Sequence, residues 1–226
     1  MTQEYSRIQC DFIYPAPQML LDRECKQERH IITETPEIYQ KYTKPLFIDK
    51  VNPSDCQWVD NILDKSKEVE LTVFRNDLFT LQLDFEYNKG DITTLYLLAL
   101  PIQTDLKTIR DLNGTHLPLL RSIRDNSYAT IQSRFGLPRT QIKCLFHYYP
   151  TFYHLHIHFV HVTMNEQVGG YCCKGVLLDD VIEHLEMDPE YFAKKTLMVQ
   201  VGDMHPIFRM LKELGVLKGT DTDEKE

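Results

Sequence analysis

The chain has 226 residues, 42% of them hydrophobic and 26% charged, enough apolar material for one good-sized core with at most an added arm. Its net charge of −8 excludes a broad basic surface that would grip long nucleic acid through its phosphates, but leaves room for a local basic pocket around a small phosphorylated ligand. Residues 1–7 carry no apolar signal core and the apolar stretch 95–102 is too short to cross a bilayer, so no membrane partner is expected.

Residues 1–53 are mixed and punctuated by Pro15, Pro17, Pro36, Pro45 and Pro53, which reads as an arm or lobe fragment with little core of its own. Residues 20–34 fit a short helix running into a strand. Ser54-Asp55-Cys56-Gln57 reads as a capping box opening a helix with Trp58, Val59, Ile62 and Leu63 on one face. Strands are predicted at 69–74 and 78–85, the second alternating Phe79, Leu81, Leu83 and Phe85 against Thr80, Gln82 and Asp84. Asn88-Lys89-Gly90-Asp91 is a turn, and 93–100 is a buried strand ended by Pro101. A long helix over 114–135 is capped by Asn113 and stopped at Gly136. Strands at 141–149 and 153–162, with a short junction, read as an antiparallel hairpin. A helix through Leu177, Leu178, Val181, Ile182 and Leu185, a strand over 197–201 and a helix capped by Asp203 with Gly215 past its end complete the order. Lys218 opens a charged tail, expected to be disordered. Hairpin-linked strands with few crossovers indicate an α+β fold with an antiparallel sheet flanked by helices.

One segment carries chemistry. His154, His156 and His158 alternate with Leu155, Ile157 and Phe159. On a strand, alternate residues share a face, so the three imidazoles point one way and the apolar side chains the other. The imidazole face then lines a cleft or an anion site. Three readings stay open at this level: the histidines bind a metal, the central one is a nucleophile toward phosphorus flanked by supporting imidazoles, or all three satisfy hydrogen bonds in a half-buried strand. His147 on the preceding strand reaches the same face if the hairpin is right. His161 has the opposite parity, and His30, His116, His184 and His205 are scattered and read as structural or exposed. The six cysteines, Cys10, Cys25, Cys56, Cys144, Cys172 and Cys173, show no CxxC spacing and read as free thiols of a reducing cytosol or nucleus.

His154-Leu155-His156-Ile157-His158-Phe159 resembles the histidine-triad (HIT) motif. The approach His147-Tyr148-Tyr149-Pro150-Thr151-Phe152-Tyr153 resembles that of the scavenger mRNA-decapping enzyme family (DcpS). So do Ile109-Arg110-Asp111-Leu112, His116-Leu117-Pro118-Leu119-Leu120-Arg121, Trp58-Val59 with Asn61-Ile62-Leu63-Asp64-Lys65, and Val181-Ile182-Glu183 with Leu185-Glu186 and Asp188-Pro189. The resemblance runs over about residues 29–215. It implies a HIT-type decapping domain at 29–217, an arm at 1–28 that is a remnant of an N-terminal lobe, and a tail at 218–226. It implies hydrolysis of the triphosphate bridge of short capped RNA or cap dinucleotides, release of 7-methylguanosine monophosphate, no metal or other cofactor, and a homodimer.

By position, the resemblance makes His156 the nucleophile, supported by His154, His158 and His147. It assigns Trp58 to stacking on the methylated base, Glu68 to the guanine edge, and Asp84 with its neighbour Phe85 to the pocket. Thr151 and Phe152 stand where the family has serine and tyrosine, and Arg23 and Lys174 fall near basic positions around the phosphates. N7-methylation makes guanine cationic, which suits an indole face and a carboxylate. The family's N-terminal lobe is larger, so weaker binding or altered turnover is expected here. Glu86 replaces a cap-contacting lysine, adding repulsion of about 1 kcal/mol toward a triphosphate. The alternatives are a cap-binding regulatory protein with little turnover, or a generic HIT hydrolase of dinucleoside polyphosphates.

Overall fold

A computed structural model describes residues 27–64, 69–84, 87–164, 170 and 172–217. The expectations for Arg23, Glu68, Phe85, Glu86, Cys10, Cys25, a helix before residue 27 and the tail fall outside these residues.

The fold is α+β, as expected. Strands β1 (Arg29–Glu34), β2 (Thr72–Arg75), β3 (Phe79–Leu83), β4 (Tyr96–Pro101), β5 (Ile142–His147), β6 (Ile157–His161), β7 (Gly175–Leu177) and β8 (Leu197–Gly202) form two sheets. A six-stranded antiparallel sheet runs β2-β3-β4-β6-β5-β7, and β1 pairs with β8 in a two-stranded sheet. Register divides the larger sheet into two faces. Leu81, Ala99, Ile157 and Cys144 fall on one, and Gln82, Leu98, His158 and Leu145 on the other.

The first face carries the main core. Leu81, Leu97, Ala99, Ile157, Phe159 and Phe146 cluster with Leu120, Ile123 and Ile131 of α2 (Leu117–Phe135) and with Val181, Ile182 and Leu185 of α3 (Leu178–Met187). Each such side chain contributes about 1.5–3 kcal/mol on burial. Helix α2 ends where Gly136 takes φ 70°, a left-handed conformation that glycine adopts without a Cβ penalty. Asn113 caps the 3₁₀ turn that leads into α2.

The second face is covered at one end by α1 (Gln57–Leu63), whose Val59, Ile62 and Leu63 pack on Leu100. Arg75 reaches back to its C-terminus, donating to the carbonyls of Ile62 at 3.3 Å and Leu63 at 2.5 Å. These are carbonyls that a helix end leaves without intrahelical partners.

Several sequence expectations change. Residues 27–53 are no loose arm: Ile32 is 1% exposed and joins the main core, and Glu34 is fully buried. The apolar match is between β1 and β8, which are far apart in sequence and thus invisible to local periodicity. Before α1, Asn52 caps a 3₁₀ turn by accepting from Ser54 N, and no capping box forms at Ser54. The last helix, α5 (Pro206–Glu213), is capped by His205, whose Nδ1 accepts from Ile207 N at 3.2 Å, rather than by Asp203. Strand β7 and the short helix α4 (Tyr191–Lys194) were not foreseen. Strands β5 and β6 pair antiparallel as expected, but residues 148–156 form a long loop between them instead of a short junction. Expected strand 69–74 begins only at Thr72.

Candidate active site

Strand β6 begins at Ile157, so only His158 of the triad is paired; His154 and His156 lie on the approach to the strand. All three are nonetheless buried, at 3–4% exposure, and His147 at 8%. Antiparallel pairing sets Leu145 opposite His158, and His147, two residues along β5, packs its ring against His158 with centroids 3.9 Å apart. The rings of His147, His156 and His158 meet, His156 and His158 with centroids 4.9 Å apart, and His154 joins them through its carbonyl.

Hydrogen bonds fix each ring. His154 Nε2 lies 2.9 Å from the Pro101 carbonyl and His156 Nδ1 lies 2.8 Å from the His154 carbonyl. A carbonyl only accepts, so the proton of His156 sits on Nδ1 and its Nε2 keeps the lone pair. That Nε2 is buried and makes no hydrogen bond among the described residues. His158 Nδ1 meets the Tyr96 hydroxyl at 2.7 Å, and its Nε2 is likewise buried with no hydrogen bond among the described residues. Burial holds His156 neutral, with a pKa lowered to about 3, and pushes His158 and His154 down as well. The result is an uncharged imidazole presenting a free nitrogen, the state required of a nucleophile.

An aromatic path leads outward from it. Phe152 stacks on the His156 ring, centroids 3.9 Å apart at 13°, and Trp58 meets Phe152 edge-on at 4.8 Å. Trp58 is 36% exposed, so it is not the buried core residue that an amphipathic helix would place there by default. Asp84 follows β3 with the parity of Thr80 and Gln82, on the histidine side, and its N–H donates to the Tyr96 carbonyl at 2.9 Å. Thr151 is exposed on the loop before the triad.

Lys174 lies beside the approach to the triad. Its backbone carbonyl accepts from Tyr148 N at 3.0 Å and its ammonium donates to the Tyr149 carbonyl. Burial, reinforced by Arg29, lowers its pKa to about 8. The loop carrying these tyrosines is tied to β1. Tyr148 and Tyr149 hydroxyls donate to Glu34 at 2.5 and 2.8 Å, and Arg110 pairs with the same carboxylate at 2.9 Å. Arg110 also donates to the carbonyls of Phe192 and Lys195.

Among the described residues, no three His, Cys, Asp or Glu side chains are arranged to hold a metal ion. His161 turns to Thr163, and His30, His184 and His205 stack on aromatic rings, in keeping with their structural reading. Sequence reasoning missed Tyr96 and Glu34. A buried tyrosine hydroxyl needs a partner, and Tyr96 sits in an apolar run directly before Leu97 and Leu98, which was a usable signal. Glu34 offered none, because its partners lie at least 76 residues away.

Residues 57–171 match the family described as scavenger mRNA decapping enzyme C-term binding. The m7GpppX diphosphatase of Ascaris suum is 38% identical over 213 residues, covering 92% of this chain and 70% of that protein. The chain belongs to the scavenger mRNA-decapping enzyme family. The m7GpppX diphosphatase of Schizosaccharomyces pombe is 32% identical over 211 residues, covering 92% of this chain and 69% of its own. A solved HIT family hydrolase from Legionella pneumophila aligns with TM-score 0.39 and 20% identity over 46% of this chain and 90% of that one. The family match includes Trp58, Asp84, His147 and the triad; Lys174 lies beyond that match but within the 92% of the chain that aligns with the Ascaris suum protein.

Proposed function

We propose that this protein hydrolyses the triphosphate bridge of 7-methylguanosine caps on short RNA remnants, with His156 as nucleophile. The observation that carries this reading is the neutral, buried His156, whose Nε2 makes no hydrogen bond among the described residues, at the end of a path of ring contacts that begins at the exposed Trp58. His156 Nε2 attacks the phosphorus next to 7-methylguanosine. The bond to the bridging oxygen breaks, and the diphosphate end departs as its anion with the bonding electron pair. Water then cleaves the N–P bond, releasing 7-methylguanosine monophosphate and restoring the imidazole.

In this reading His154 and its carbonyl set the His156 tautomer, His158 orients the nucleophile, His147 assists the leaving group, and Lys174 faces the phosphates. Trp58 takes the cationic base and Asp84 the pocket wall; Glu68, Phe85, Arg23 and Thr151 keep the roles their positions imply. Phe152 backs the nucleophile rather than touching phosphate through a hydroxyl. The working form is a homodimer of the cytosol or nucleus; the exposed apolar side chains Ile31 and Met198 on the β1–β8 sheet are compatible with a second chain.

The test is incubation of the protein with 7-methylguanosine triphosphate-linked guanosine in EDTA, with products read by mass spectrometry. 7-methylguanosine monophosphate is expected from wild type, none from His156→Ala, and less from the unmethylated analogue. Tight binding without product would instead favour a cap-binding protein, and indifference to methylation a generic dinucleoside polyphosphate hydrolase.

A further inference from the structure

Cys172 and Cys173 sit in the turn that delivers Lys174, and no role above uses them. Their sulfurs lie 3.6 Å apart; Cys172 is exposed and Cys173 half-buried. The other described thiols differ: Cys144 is buried in the main core and Cys56 is half-buried with no neighbouring thiol described. Cys173 holds φ 65°, a left-handed conformation uncommon for a side chain with a Cβ. Its carbonyl accepts from Gln200 N of β8 at 2.9 Å. The next residue, Lys174, is bound through its carbonyl to Tyr148 and through its ammonium to the Tyr149 carbonyl. The two sulfurs and the lysine thus share one short turn with fixed anchors on β8 and on the triad approach.

A direct disulfide suits this pair poorly. Adjacent Cα atoms are about 3.8 Å apart across a trans peptide, whereas disulfides prefer about 4.4–6.8 Å. One soft atom bridging both sulfurs has no such restriction, and the observed separation already brings the thiols together on one side of the turn.

We propose that Cys172 and Cys173 form a vicinal-dithiol site that captures trivalent arsenicals, and that capture displaces Lys174 from the phosphate end of the active site. Two As–S bonds form, the arsenical oxygen leaves as water with the two thiol protons, and arsenic stays trivalent, so no oxidant or reductant is needed. Closing the bridge turns both cysteine side chains toward one atom. The sulfurs already lie near the separation one bridging atom needs, so the bridge fixes both side chains and sets the arsenical's substituent on the turn that leads into Lys174. The second half of this inference rests on Lys174 facing the phosphates, as proposed above.

The test adds phenylarsine oxide to the full chain and to Cys172→Ser and Cys173→Ser. Intact mass is expected to show a phenylarsenic adduct on wild type that resists excess monothiol and is stripped by a dithiol, and each variant should lose that adduct. Its survival at full stoichiometry in either variant overturns the site. Quenching of the single tryptophan, Trp58, measures cap affinity in the same samples. Capture should weaken 7-methylguanosine triphosphate binding about tenfold or more, the weight of one charge-assisted contact, and leave 7-methylguanosine nucleoside binding unchanged. Equal triphosphate affinity with and without the adduct overturns the coupling. If the unmodified protein binds no cap, the functional reading fails and the coupling with it, while the dithiol site is judged on mass alone.

Discussion

Burial keeps His156 neutral, and that has a consequence for pH. A free histidine takes up a proton near pH 6.5, but the folded chain holds His156 down to about 3 and His205 to about 4, in both cases chiefly by desolvation. As pH falls below about 6.5 the unfolded state binds protons that the folded state refuses, so stability drops with pH, by at most about 1.4 kcal/mol per pH unit for each such group. The urea midpoint is therefore expected to fall steadily from pH 6.5 to 4.5. His205→Asn, which can still cap α5, should flatten that slope; an unchanged slope contradicts the assignment for His205. Lys174 acts at the other end of the scale. Held at about 8 by burial, it is charged at neutral pH and loses its proton in mildly alkaline solution. Cap affinity should weaken above about pH 8 with little change in kcat, and Lys174→Arg should remove that alkaline limb. A limb that survives in Lys174→Arg belongs to another group.

At the scale of elements, the triad approach owes its position to a tie across the sheets. Glu34 on β1 gathers Arg110, Tyr148 and Tyr149 in a fully buried cluster. Glu34→Gln leaves the Arg110 guanidinium buried without its counter-charge, a change that typically costs about 3–5 kcal/mol. Urea unfolding should register a loss of that order, and a loss below about 1 kcal/mol would show that the cluster contributes little. This tie also explains what was legible from sequence. Alternation along β3, the glycine stop of α2 and the apolar faces of α1 and α3 are local signals that mark those elements, although β6 begins at Ile157 rather than 153 and α2 at Leu117 rather than 114. The β1–β8 pairing, the Glu34 cluster and the β7 edge depend on residues distant along the chain, so no window of sequence contains them. His205 displaced Asp203 as a cap for a related reason: the expected cap lay two residues early, and helix ends are set by which side chain meets the first free N–H groups.

Over the whole molecule, the clustering of histidines was readable from their spacing, but only His158 lies on the strand that the spacing implied; His156 is held by the His154 carbonyl on the approach to it. Tyr96 stood out as a tyrosine in an apolar run, but its partner His158, like the partner of the Pro101 carbonyl, is set only by β4 lying beside β6. The proposed dimer belongs to this scale too: light scattering should return twice the 26.6 kDa of one chain, and a mass of one chain at micromolar concentration would contradict it. The most direct test of the account is to quench the protein under single-turnover conditions with 7-methylguanosine triphosphate-linked guanosine, digest it, and map any adduct by mass spectrometry. A 7-methylguanylyl group on His156, labile to acid and absent from His156→Ala, is the predicted result. Product formation with no adduct, or an adduct on His154 or His158 instead, would contradict it.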